Sequence, residues 1–83
     1  MSRLTYSVLL QPDPDEGGYT VTVPELPGIV TQGETFEEAL AMARDAIVLH
    51  VEGLAADGLD VPIERAAPIV AQVQVEVREL VVA

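Results

Sequence analysis

At 83 residues, with 14 acidic side chains against 4 basic ones, the chain carries a net charge of −10 and has no cysteine. That rules out disulfides and thiolate metal sites, and the lack of a basic stripe argues against direct DNA or RNA binding, since a polyanion repels so acidic a protein. The opening Met1-Ser2-Arg3-Leu4-Thr5-Tyr6 lacks the apolar core of a signal peptide and no apolar run approaches the ~20 residues of a membrane span, so a cytoplasmic protein is expected.

Residues 4–11 alternate, with Leu4, Tyr6, Val8 and Leu10 on one side and Thr5, Ser7, Leu9 and Gln11 on the other. Period-two alternation predicts a strand. Pro12-Asp13-Pro14-Asp15-Glu16-Gly17-Gly18 stops it and turns the chain. Tyr19, Val21 and Val23 then alternate with Thr20 and Thr22, predicting a second strand and a hairpin with a longer loop. Pro24-Glu25-Leu26-Pro27-Gly28 cannot be a central strand, because a proline has no ladder donor, and reads as a corner. Ile29 to Gln32 is a short third strand, and Gly33 is read as a residue in a conformation that others avoid.

Thr35 is a favoured helix N-cap, with Glu38 three positions on as the second half of a capping box. Glu37 and Glu38 fall in the first turn, where the helix dipole favours negative charge. Phe36, Leu40, Ala43, Ile47, Val51 and Leu54 recur at spacings of three and four, forming one apolar stripe. Small Ala39 and Ala43 let such a helix sit close to a sheet. Gly58 is the natural C-cap, while Gly53 weakens the last turn and leaves open an end near residue 52. Leu59 to Pro68 reads as a connection. Ile69, Ala71, Val73, Val75 and Val77 alternate with Val70, Gln72, Gln74, Glu76 and Arg78, predicting a long fourth strand.

The predicted order is β-β-β-α-β, an α+β fold. Three strands form an antiparallel meander, one helix covers its apolar face, and the fourth strand returns to the sheet. A right-handed crossover through the helix brings it back parallel to a neighbour; the order 3-2-1-4 fits, although spacing alone permits others.

The acidic turn Asp15-Glu16-Gly17-Gly18, the strand Tyr19 to Val23, the corner Pro24 to Gly28, and Gly33-x-Thr35-x-x-Glu38-Ala39 at the helix start occur in an order that resembles the HicB family of antitoxins, in its small stand-alone form. The likeness covers residues 4–58, with the last strand matching by type only. It implies a partial RNase H-like fold and the order 3-2-1-4. It also implies a partner: a small basic HicA-type ribonuclease toxin, whose RNA-cleaving site the antitoxin covers. Many family members have Cys after the corner glycine, where this chain has Ile29; a buried apolar role suits both. Many also continue into a C-terminal DNA-binding domain. This sequence reaches Ala83 directly after the fourth strand, so the expectation is a single HicB-like domain over 1–83 without one, and no operator binding by it.

No constellation for chemistry accompanies these motifs. The expected first strand carries no acid, whereas a two-metal nuclease of RNase H-like fold needs one there. Asp13, Asp15 and Glu16 lie in a loop where solvated acids are ordinary. His50 is the sole histidine, with no second ligand or orienting partner. Ser2 and Ser7 sit in no nucleophile elbow. Gly17-Gly18 has no following lysine or helix, and is a turn, not a phosphate loop. Tyr6 and Tyr19 fall on the apolar phase of their strands, as core residues would. The expectation is therefore no catalytic residue, metal, cofactor or small-molecule substrate.

What remains is protein binding. Glu25, Glu34 and Glu37 are the candidate toxin-facing acids; Glu38 is already occupied as a cap. A domain this small buries only roughly 60–65% of its unfolded surface, and a sheet with open edges recruits other strands. A homodimer or higher oligomer is expected, with Leu80, Val81 and Val82 as apolar contacts. The other reading is an orphan oligomeric interaction domain with no toxin partner.

Overall fold

The computed structural model describes residues 2–82. It contains β1 (Leu9–Pro12), β2 (Tyr19–Thr22), β3 (Val30–Gly33) and α1 (Phe36–Ala56). The three strands form one antiparallel sheet in the order β1-β2-β3. Leu9 faces Thr22 and Pro12 faces Tyr19 across the first pair; Tyr19 faces Gly33 and Thr22 faces Val30 across the second. Pro12 is tolerated because β1 is an edge strand.

The corner is two consecutive β-turns. Leu26 N–H donates to the Val23 carbonyl at 3.0 Å, and Ile29 N–H donates to the Leu26 carbonyl at 3.0 Å. Pro24 and Pro27 each occupy the second position of a turn, where a fixed φ is pre-set. The residues that open and close these turns are Val23, Leu26 and Ile29, and all three are buried together. So the Pro-x-x-Pro spacing puts the prolines outside and points every third residue inward.

Helix α1 begins as its capping residue requires: Glu38 N–H donates to Thr35 Oγ1 at 3.1 Å. Of the expected box, this is the half that forms among the described hydrogen bonds. Gly53 does not end the helix. The end lies at Asp57 as C-cap, with Gly58 at φ +70°. Gly58 N–H reaches the Ala55 carbonyl and Leu59 N–H the Leu54 carbonyl, the bond pair of a Schellman motif.

The helix is seated on the sheet at Gly33. A β-carbon there would lie 2.4 Å from the Ala39 nitrogen and 2.6 Å from the Ala39 α-carbon. Its φ is not positive, so the expectation of an unusual backbone conformation is corrected: Gly33 is needed because backbone meets backbone. The helix's buried residues are Ala39 and Ala43, which pack with Val21 below half-buried Val8, Leu10 and Tyr19. The apolar stripe is thus centred on small residues rather than on Phe36 and Leu40. Phe36 is half exposed and meets the Tyr19 ring edge-on, 6.3 Å between centroids.

Two strand expectations are also corrected. Residues 4–8 alternate but join no ladder, since the register that pairs Leu9 with Thr22 brings Ser7 opposite Pro24, where the second strand has already turned away. Residues 69–82 form no strand ladder, so the fourth strand and the order 3-2-1-4 do not occur within this chain among the described residues. The link from the helix instead lies against residues 6–7. Ser7 N–H and Ser7 Oγ donate to the two carboxylate oxygens of Glu64 at 2.8 Å each, and Tyr6 O–H donates to the Pro62 carbonyl. Beyond it, 69–82 runs out as an exposed arm. The radius of gyration is 16.3 Å, against about 12 Å for a compact chain of this length.

Gly33→Ala is expected to destabilise the protein by about 1–3 kcal/mol or more, because neither backbone can yield. Gly28→Ala, whose added carbon meets nothing within 4 Å, should stay within about 0.5 kcal/mol or gain slightly. Leu26→Ala, which empties a fully buried site, should cost about 2–5 kcal/mol. Urea unfolding followed by circular dichroism measures all three.

Candidate protein-docking cleft

One end of the sheet gathers the hairpin turn, the end of β3 and the start of α1. This follows from the register: Tyr19 pairs with Pro12 on one side and Gly33 on the other. The turn is held by its own backbone. Asp13 N–H donates to the Gly18 carbonyl at 3.0 Å and Gly17 N–H to the Asp13 carbonyl at 3.1 Å. Gly17 and Gly18 have φ of +79° and +78°, a conformation glycine adopts at little steric cost. Asp13 Oδ1 accepts from Asp15 N–H at 2.9 Å and Glu16 N–H at 3.2 Å. This Asx turn fixes the direction in which the acidic loop projects.

Between the loop and the helix start lies an open cleft of about 370 Å³. Asp13, Glu16, Glu34 and Glu38 line it, with Gln32, Tyr19 and Met42, and no arginine or histidine does. Four carboxylates without a cation make it a point of concentrated negative potential, reinforcing the field of a chain at −10. Among the described residues, no group of three or more His, Cys, Asp or Glu side chains is placed to hold a metal ion.

The acids singled out from sequence divide between the two ends of the sheet. Glu34 lines the cleft; Glu37 is exposed on the first helical turn, beside it in sequence but not in its lining. Glu25 is half-buried in the corner, which the antiparallel register puts at the opposite end. Asp13, Glu16 and Glu38 join Glu34 instead. The Asp-x-x-Glu-Gly-Gly loop offered a signal for Asp13, since an aspartate there accepts amides two and three residues on. Leu80, Val81 and Val82 lie exposed on the arm, and His50 is exposed on α1. Tyr6 and Tyr19 are half-buried against the core. No helix among the described residues is long and apolar enough to cross a membrane.

A family model described as the HicB-like antitoxin of bacterial toxin–antitoxin systems matches residues 6–83. Over 63 residues the chain is 41% identical to an Antitoxin HicB 1 of Photorhabdus laumondii, covering 76% of this chain and 40% of that protein. It is 39% identical over 66 residues to a UPF0150 protein of Thermoplasma acidophilum, covering 80% of this chain and 94% of that one. A further match, 47% over 45 residues, is to an Antitoxin HicB of Escherichia coli, covering 54% of this chain and 32% of that protein. The chain thus spans less than half the length of these two named antitoxins.

The two amide donors hold the Asp13 carboxyl below its ordinary pKa. A carboxylate lowered in the folded state contributes stability that is present above the unfolded pKa and is lost as pH falls through the folded one. The loop should therefore hold its shape through neutral and mildly acidic pH and loosen only as Asp13 protonates. An NMR titration should place the Asp13 midpoint below that of the same residue in the urea-unfolded chain. Equal midpoints would remove the Asx turn from the account.

Proposed function

The chain belongs to the HicB-like antitoxin family of bacterial toxin–antitoxin systems, and we propose that it binds and neutralises a small basic ribonuclease toxin of the HicA type by covering its RNA-cleaving site. In this reading the protein is not an enzyme and needs no cofactor. It does not bind nucleic acid directly and acts in the cytoplasm. The observation that carries the proposal is the cleft lined by Asp13, Glu16, Glu34 and Glu38 with no cation among its lining residues. A surface that binds RNA gains affinity by setting arginines or lysines against the phosphates, and such a basic surface is the electrostatic complement of this cleft. Complementary charge also speeds encounter and disfavours partners of the wrong sign. Glu34, with Glu37 beside it in sequence, is the core of the proposed toxin-facing set. Glu25 is a separate contact at the far end, within reach only of a partner that spans the sheet.

Self-association is the second part of the proposal. The body has few fully buried side chains: Val21, Val23, Leu26, Ile29, Ala39 and Ala43 are its buried hydrophobic core. A homodimer or higher oligomer would enlarge that core and would complete the sheet toward the partial RNase H-like order 3-2-1-4.

The test is a titration of a purified HicA-type ribonuclease, encoded by a short basic reading frame of the same genome, with the full chain while RNA cleavage is followed. Inhibition at a one-to-one ratio is expected. Glu34→Lys combined with Glu37→Lys should weaken binding about tenfold or more and flatten its salt dependence. A toxin that cleaves unhindered at excess of this chain contradicts the proposal.

A further inference from the structure

The other side of the molecule carries the opposite chemistry. A groove of about 350 Å³ runs between the extended residues 4–8 and helix α1. Leu4, Tyr6, Val8, Ala43, Ile47 and Val48 give it an apolar wall, and Arg44 is its only charged lining residue. It lies along the lead-in to β1, so a strand added beside β1 would extend its apolar face into it. Meanwhile the arm exposes the matching surface: Ile69, Val73, Val75 and Val77 on one alternating face are 90, 83, 71 and 56% exposed. Isolated exposed apolar residues are ordinary, whereas a contiguous apolar strip marks an interface.

We infer that two copies of this chain exchange their arms, residues 69–82 of each lying in the 4–8/α1 groove of the other and adding a fourth strand beside its β1. The inference rests on the self-association proposed above and specifies its geometry.

Three observations commit the groove to a second copy. First, lengths are similar: residues 69–77 and residues 4–11 are alternating runs of nine and eight residues, roughly 30 and 26 Å when extended. Second, the arm does not lie in its own groove. Glu64 is clamped on Ser7 by two 2.8 Å hydrogen bonds and Pro62 on Tyr6, so the link is fixed against residues 6–7, while neither of its anchoring residues lines the groove, which stays open. Pro68 then restricts Ala67 to extended backbone and the chain leaves the body. The ten-residue link from Leu59 to Pro68 thus carries the arm away from the groove of its own chain. Third, the size suffices. The fourteen arm residues and the nine lining the groove give each copy a contact set in the roughly 20–30 residues a side of a stable interface. Exchange about a two-fold axis is self-complementary, so each arm fills a groove and no apolar strip is left over. It also pairs the open edge of β1, which would otherwise recruit strands indiscriminately. Charge works against association, as each copy carries −10; Arg44 in the groove and Glu76 and Glu79 on the arm would offset part of it. Added salt should therefore tighten the dimer.

The full chain is suited to a direct test, because it has no native cysteine. Sedimentation equilibrium at micromolar concentration should show a dimer. Val73→Asp with Val75→Asp should raise its dissociation constant at least about a hundredfold, roughly tenfold per valine removed from a buried face. Both side chains are exposed in the single chain, so far-UV circular dichroism should show the helix intact. Separately, Val75→Cys copies and Val48→Cys copies of different mass are unfolded, mixed and refolded together. Oxidation should join unlike copies. A dimer that survives both aspartates would overturn arm exchange while leaving self-association standing. A monomeric wild type would overturn both. Disulfides only between two Val75→Cys copies would show arms pairing with each other and would remove the groove from the interface.

Discussion

The contact on which the structure depends is the meeting of two backbones at Gly33 and Ala39. With no side chain on the strand and one methyl on the helix, α1 settles directly on the end of β3. That approach buries Ala39 and Ala43 over Val21 and swings the helix start beside the hairpin turn. The helix start and the acidic loop then share the walls of one cleft. A larger residue at either position would lift the helix, open the small core and pull the carboxylates apart. The core has little to spare: no aromatic side chain is fully buried, and dispersion between small aliphatic groups depends on close fit.

Function follows from how the sheet's ends and edges are assigned. The end at the hairpin turn is acidic and rigid, through glycines in left-handed backbone and an aspartate that caps its own loop. The groove between residues 4–8 and α1 is mostly apolar. The two recesses have no lining residue in common, so a partner at one leaves the other free.

Much of this was legible in the sequence. The second and third strands, the corner, the Thr35 cap and the Gly58 stop follow from local rules, because each is decided within a few residues by proline, glycine or a capping hydroxyl. Where pattern misled, the deciding partner lay far away in the chain. Leu4 to Val8 alternate correctly, yet Pro24 has already taken their neighbour out of reach. Ile69 to Val77 carry the cleanest alternation of all and join no ladder among the described residues, since alternation states that a face wants covering but not by whom. A glycine signals conformational freedom or close approach alike, and at Gly33 the contact with the Ala39 backbone, distant from any local pattern, decides for close approach. The grip of Glu64 on Ser7 has no local signature, being one acid in a proline-bounded link. Among the acids, composition announced a negative surface; only the register of β2 with β3 separates Glu25 from Glu34.

The most direct measurement is amide hydrogen exchange of the full chain, free and saturated with the toxin. The account predicts added protection concentrated at residues 13–20 and 33–42, the loop and helix start that wall the cleft. Protection confined to the far corner at residues 24–28 or to the exposed face of the helix's last turns, with the cleft amides unchanged, would contradict it.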